Sequence, residues 1–354
     1  MRRAGGLFEP ICSWDNLLLA ARRARAGKRY RPDVLAFEFR QEEELLALRE
    51  ELRSGAYRPR PPRHFKIREP KQRWITAAAY RDRVVHHAVC NLVEPVLERG
   101  FVHDCWANRR GKGSHRAVLR LQAFCRRFPL AVKLDLVKYF ASIDHDLLLA
   151  RLARRFKEPR LLALLSLIVR SGCNPEAVAW HGPGDDLLSP LGRRTGLPIG
   201  NLTSQLLSNE FLCAFDHWVV ERLRPGAYLR FVDDMVVLGA DGGRLREEVA
   251  AMRERLCALR LRLHEERLHL RRVEAGIPFL GYVVRPRRLR VRGQTVRRYR
   301  RRVGRLARAV RSGRVAPAAV RQSLAAWRGH VILADPSGGL WLRTRQGLSE
   351  REAC

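Results

Sequence analysis

Apolar residues recur at helical spacing early in the chain, as Leu17, Leu18 and Ala21 and then Leu45, Leu48 and Leu52, which predicts helices over 13–26 and 41–53. A Pro/Arg-rich stretch, 57–63, reads as an extended connector. Two short strands, 64–67 and 73–76, flank a turn at Glu69-Pro70, and 81–99 returns to helical periodicity. An apolar strand over 131–134 ends at Asp135; Asp144 is placed to cap a helix reaching 153, and another helix covers 159–170. After a Gly/Pro/Asp-rich loop, 171–196, Asn201 or Thr203 opens a helix through 221. Strands 228–232 and 235–238 flank Asp233-Asp234, a hairpin with acid at its tip. An amphipathic helix is predicted over 244–263 and a single strand over 278–284. No internal repeat is visible. From 285 to 334 there are sixteen Arg and no acid, yet Val303, Leu306 and Val310, then Val320, Leu324 and Trp327, keep helical spacing. That pattern is a folded helical module with one basic face.

Composition narrows the classes. At 354 residues and 46% apolar, the chain is large enough for two or three domains and too apolar for wholesale disorder. Its longest apolar run, 161–169, is broken by Ser166 and is far short of the roughly 20 residues that span a bilayer. Met1-Arg2-Arg3-Ala4-Gly5 lacks the apolar stretch of a secretory signal, so a cytoplasmic protein without membrane contact is expected. The net charge of +33 makes a polyanion, and by default nucleic acid, the expected partner. Only seven of the 69 basic residues are Lys. The Arg excess reads either as phosphate recognition or as GC-rich codon usage. Eight cysteines at irregular spacing, none in a C-x-x-C, read as small buried hydrophobes. His86, His87 and Cys90 could meet on one helical turn, but with no second ligand pair they read as helix packing.

Asp233-Asp234 between strands would, alone, be a solvated turn. Asp135 changes that reading, because it also ends an apolar strand. Three carboxylates at strand ends can hold two Mg²⁺ ions, which take oxygen ligands. Two such ions clamp the attacking and leaving oxygens of an in-line phosphoryl displacement.

These residues also resemble a family. Asp135-Leu136-Val137-Lys138-Tyr139-Phe140 with Ser142-Ile143-Asp144, and Phe231-Val232-Asp233-Asp234, are similar to the two metal-binding motifs of reverse transcriptases. Gly196-Leu197-Pro198-Ile199-Gly200, running on to Ser204-Gln205, lies where that family has its template and nucleotide motif. Phe279-Leu280-Gly281-Tyr282 resembles the motif that leads toward the primer grip. Glu69-Pro70-Lys71-Gln72-Arg73-Trp74-Ile75 and Tyr80-Arg81-Asp82-Arg83-Val84-Val85 resemble the fingers. The resemblance implies an α+β right-hand polymerase with a ferredoxin-like palm. Its parts would be an N-terminal helical extension (1–58), fingers (59–129), palm (130–149 and 196–284) around an insertion (150–195), and a basic helical thumb with the C-terminus (285–354).

The roles it implies follow residue by residue. Asp135, Asp233 and Asp234 would be catalytic and hold two Mg²⁺, or Mn²⁺ in substitution, with the Leu136 carbonyl as a further ligand. Arg73 would meet the incoming dNTP triphosphate; Lys66 and Arg68 are alternatives for one role beside it. The main-chain amides of Lys138 and Tyr139 would assist, Phe140 would exclude a ribose 2′-hydroxyl, and Ile199 and Gly200 would face the nascent pair. Arg267 stands where relatives carry a Lys suspected of protonating pyrophosphate, and an Arg does not readily give up a proton. Arg297, Arg298, Arg301, Arg302, Arg305 and Arg308 would track the RNA/cDNA duplex. Gly329-His330 is either a thumb contact or a helix end.

Within this group II intron-like superfamily, most members carry Gln before the Gly of the middle motif and end it in Ser-Pro. Ile199-Gly200 and Ser204-Gln205 are instead similar to reverse transcriptases of diversity-generating retroelements. The chain also ends soon after its basic helices, which predicts no maturase or endonuclease domain. The resemblance then implies cDNA synthesis, error-prone at template adenines, from a structured template-repeat RNA. It also implies an accessory variability protein (Avd) as an oligomeric partner; residues 13–53, which the polymerase motifs do not use, are the candidate for part of its docking surface. Retron-like, CRISPR-associated or abortive-infection reverse transcriptases, and a non-catalytic RNA-binding protein of the same fold, are the alternatives.

Overall fold

The computed structural model describes residues 3–67, 72–172 and 174–342. Four helices lead: α1 (Phe8–Ile11), α2 (Trp14–Arg25), α3 (Pro32–Phe39) and α4 (Gln41–Ser54). The Ser13 hydroxyl accepts the Asn16 amide at 3.3 Å and so starts α2, whereas Gly55, at φ +77°, stops α4. The hairpin β1 (Arg63–Ile67) and β2 (Arg73–Ala77) follows, then α5 (Tyr80–Glu98) and α6 (Ser114–Cys125).

Next come β3 (Leu130–Asp135), α7 (Tyr139–Ser142), α8 (His145–Arg155), α9 (Pro159–Ser171) and α10 (Leu202–Trp218), which continues as a π-helical turn over Val219–Leu223. Asp144 caps α8 as its position predicts, accepting the amides of Asp146 and Leu147 at 3.0 Å each. The chain then forms β4 (Ala227–Phe231), β5 (Asp234–Gly239), α11 (Gly242–Cys257) and β6 (Leu270–Arg272). β7 (Ile277–Phe279), β8 (Tyr282–Val284) and β9 (Leu289–Val291) make a small sheet, and α12 (Gly293–Arg311) and α13 (Pro317–Ile332) close the described chain.

The central sheet is antiparallel, in the order β4-β5-β3-β6. With helices between its first and second strands and between its third and fourth, this is the split βαβ, ferredoxin-like arrangement. Both faces are covered, which is why its strands read as continuous apolar runs. Val132, Leu134, Tyr228, Met235 and Val237 face the large core built with α2, α5 and α8 to α11. Ala131, Leu229, Val236 and Leu238 face a second core with α6, β7 and β8. A third cluster, Tyr299, Val303, Trp327 and Val331, joins α12 to α13.

Three expectations need correction. The helix predicted to reach 263 ends at Cys257, because Arg260 turns left-handed (φ +58°) and lets Leu263 pair with Leu136 in an isolated bridge. The strand predicted over 278–284 is two strands, since Leu280 (φ +46°) and Gly281 (φ +90°) make a tight turn between β7 and β8. Cys257 is exposed, although Cys12, Cys90, Cys105, Cys125 and Cys213 are buried as expected; Cys173 and Cys354 lie outside the described residues. His86 and Cys90 are buried in α5, and His87 is half-buried. No described helix is long and apolar enough to cross a membrane.

Candidate active site

β3 and β5 run antiparallel with Asp135 directly opposite Asp234. Side chains alternate along a strand, so Lys133, Asp135, Asp234 and Val236 share one face. Lys133 Nζ reaches Asp234 Oδ1 at 2.6 Å, and the Arg267 guanidinium donates to Asp135 Oδ2. The Asp135 carbonyl accepts the His264 amide at 2.9 Å, and the Arg262 carbonyl accepts the Val137 amide at 2.8 Å. These bonds run through the neighbours of Leu136, so the bridge does not use the carbonyl of Leu136 itself.

Phe231 pairs with Asp234, which leaves Val232 and Asp233 as the two turn residues of the β4–β5 hairpin. Val232 sits at φ +58°. A β-branched residue there is strained, at a cost of about 1–3 kcal/mol, and persists only where its surroundings impose it. Burial, and then the charges of Asp234 and Asp135, push the Asp233 carboxyl up to about 6, while its own backbone amide and Arg73 pull the other way. Carboxylates are hard oxygen donors of the kind that take a divalent cation such as Mg²⁺, but among the described residues the three are not gathered into a metal-binding group. Lys133 and Arg267 are the cations that neutralise two of them in this structure.

The β1–β2 hairpin separates two expected triphosphate ligands. Ile67 pairs with Arg73 and Lys66 with Trp74, so Arg73 and Lys66 lie on opposite faces. Arg73 is the one close enough to act on Asp233. Lys66 lies over the Trp74 ring, 4.6 Å from its centroid. Arg68 lies outside the described residues.

Lys138 is exposed and left-handed (φ +44°) at the start of α7. Tyr139 points into the core, where its hydroxyl donates to the Ser208 carbonyl at 2.5 Å; only its main chain can serve a nucleotide. Phe140 is half-buried, edge-on to Tyr139, and its carbonyl accepts the Leu197 amide at 2.7 Å. The Ile199 carbonyl accepts the Thr76 amide at 3.0 Å, which ties this segment to β2. Gly200 has φ +120°, and a Cβ there would lie 3.1 Å from Ile75 Cγ2. The Phe140, Ile199 and Arg73 segments are thus linked by backbone bonds.

On α12, Tyr299, Val303 and Ala307 face inward. Arg297, Arg301, Arg305 and Arg308 follow one another at helical spacing on the opposite, exposed side, with Arg302 exposed and Arg298 half-buried beside them. The β7–β8 turn anchors this pair of helices: the Gly281 carbonyl accepts the Arg292 amide at 2.9 Å, and Tyr282 donates to the His330 carbonyl at 2.6 Å. His330 thus lies near the C-terminal end of α13, where it holds Tyr282. Sequence reasoning did not single out Lys133 or Arg230. Both are charges inside apolar strands, and that interruption of the pattern is the signal that could have found them.

The reverse transcriptase (RNA-dependent DNA polymerase) family model matches residues 64–284. Protein YkfC of Escherichia coli K12 is 31% identical over 190 residues, covering 52% of this chain and 47% of that protein. The putative COX1/OXI3 intron 1 protein of Saccharomyces cerevisiae is 24% identical over 174 residues, 49% of this chain and 20% of that one. The group II intron-encoded protein LtrA of Lactococcus lactis subsp. cremoris is 25% identical over 186 residues, 51% of this chain and 29% of that one. The chain thus spans about half, or less, of the length of these relatives.

Proposed function

Because the chain belongs to the reverse transcriptase (RNA-dependent DNA polymerase) family, we propose that it copies RNA into DNA at Asp135, Asp233 and Asp234. The observation that carries this reading is the register that sets Asp135 against Asp234 with Asp233 at the adjoining hairpin tip. The central sheet would be the palm, the β1–β2 hairpin part of the fingers, and α12 with α13 the thumb.

In the reaction the primer 3′-oxygen bonds to the dNTP α-phosphorus, the bond to the β-phosphate oxygen breaks, and pyrophosphate leaves with the 3′-hydroxyl proton passing to solvent. Asp135, Asp233 and Asp234, with the Leu136 carbonyl, would hold two Mg²⁺. When bound, those ions supply charge stabilisation at the attacking and leaving oxygens. Arg73 orients the triphosphate by bidentate contacts. The ring of Phe140 takes up the space of a 2′-hydroxyl and so favours dNTPs. Arg267 serves as a fixed charge near the departing pyrophosphate, moving there from Asp135. The Arg face of α12 follows the backbone of the RNA/cDNA duplex. Extension of a DNA primer on an RNA template by the purified chain, lost on chelation and restored by Mg²⁺, is the expected result; RNA binding without extension contradicts it.

A finer reading, error-prone synthesis from a template-repeat RNA in a diversity-generating retroelement, is favoured by Ile199. This half-buried apolar residue, tied to β2 through its carbonyl, stands where most relatives carry a Gln. Exposed Tyr30, Leu35 and Phe39 in the N-terminal helical region offer surface for an accessory protein such as Avd. Neighbouring genes containing a near-repeat pair that differs at adenines would support this reading, and their absence favours a reverse transcriptase of ordinary fidelity.

A further inference from the structure

Arg230 is wholly buried in β4, a placement that hydrophobic patterning does not explain. Its Nε and Nη2 donate to Asp216 of α10 at 2.8 and 2.5 Å, and Asp216 also accepts the Tyr228 hydroxyl at 2.7 Å. Its Nη1 donates to the Val232 carbonyl at 3.0 Å and to Asn209 Oδ1 at 3.3 Å, while Asn209 in turn donates to the Ala107 carbonyl at 2.8 Å. Replacing a buried ion pair by apolar residues is often neutral or stabilising. Stability alone therefore gives no reason for a guanidinium here. What an apolar pair could not supply is the bond to Val232, the non-glycine residue held at φ +58° immediately before Asp233.

We propose that Arg230 is a positioning residue, anchored on Asp216 and Asn209, that holds the Val232 carbonyl and so keeps the hairpin in the turn that presents Asp233 and Asp234. It lies on the sheet face opposite Lys133 and acts from beneath the carboxylates without touching substrate. Only a fork can do this. Two of its nitrogens are spent on Asp216 and the third reaches along the strand, whereas an ammonium at one point could satisfy Asp216 alone.

The proposal rests on the catalytic reading of Asp233 and Asp234, and its test separates the two. Arg230→Lys keeps a charge beside Asp216 but loses the bond to Val232. Expected are at least a tenfold fall in the maximal rate of primer extension, duplex affinity unchanged, and at least tenfold faster hydrogen exchange of the 233–235 amides. Adding Val232→Asn, a residue that tolerates the left-handed region, should recover most of both losses. A residue acting only through global stability would not be rescued there. If Arg230→Lys does not fold, Arg230→Met with Asp216→Asn leaves no unpaired buried charge, retains an acceptor for Tyr228, and carries the same expectations. Rate and exchange within twofold of the unsubstituted chain, or no recovery with Val232→Asn, would overturn the proposal. An unsubstituted chain that extends no primer contradicts the enzymatic reading instead, and the exchange measurement then still decides the role of Arg230.

Discussion

Lys133 and Asp234 form an ion pair of 2.6 Å diagonally across β3 and β5, on the same face as Asp135. A lysine there competes with a metal for one carboxylate of the site. Such partly exposed pairs are worth about 0.2–1 kcal/mol. Lys133→Met is expected to lower the Mg²⁺ concentration for half-maximal extension by about 1.4- to fivefold, the same energy expressed as an affinity ratio. A Mg²⁺ titration that does not move, or moves upward, contradicts the competition.

The Arg face of α12 should bind duplex by releasing counterions. Arg297→Gln, Arg301→Gln and Arg308→Gln together are expected to flatten the slope of log affinity against log salt by roughly 0.7–0.9 per lost phosphate contact. RNA/DNA duplex binding between low and moderate salt measures it. An unchanged slope means that this run of arginine is surface composition and not a nucleic-acid track.

Burial pushes His86 and His87 in α5 down to about 4. The unfolded chain takes up these protons near pH 6.5, before the folded chain does, so stability is full above that pH and falls as the pH drops toward 4. The expected loss between pH 7 and pH 5 is about 2 kcal/mol for the buried His86, and less for His87, whose partial exposure screens it. Urea unfolding at the two pH values checks this. His86→Gln should reduce the difference, and an equal pH dependence in both chains contradicts the assignment.

Ile199→Gln should lower misincorporation opposite template adenine more than opposite the other bases. An amide near the nascent pair can reward correct geometry, and a hydrogen bond gained or lost there is worth about 1–3 kcal/mol, or one to two orders of magnitude in selectivity. Sequencing of cDNA made by both chains on one template measures it; equal adenine error rates remove Ile199 from the mechanism.

Short-range signals in the sequence were enough to locate much of this site. Asp135 and Asp233-Asp234 stood out because acids end or interrupt strands that are otherwise apolar, and both faces of that sheet are indeed buried. Asp144 was readable as a cap because its side chain bonds amides two and three residues on. The β7–β8 turn was missed because Leu280, a poor turn residue, takes a left-handed conformation that tertiary packing enforces. α6 was missed although Ala117, Val118, Leu121 and Cys125 carry helical spacing, since arginines interleave with them. The partition of Lys66 and Arg73 depends on strand register, and the Arg230 network depends on α10 passing beneath β4. Neither relation is local in sequence.

The account stands on the three carboxylates. Asp233→Ala with Asp234→Ala should leave RNA binding nearly intact, because removing negative charge cannot weaken attraction to a polyanion. Primer extension should fall to background, with Asp135→Ala behaving alike. Each variant is to be compared with the unsubstituted chain on one primed RNA template, at matched duplex occupancy and saturating Mg²⁺. Loss of extension at unchanged occupancy is the result predicted here; extension that persists in the Asp233→Ala/Asp234→Ala chain contradicts the assignment of this site.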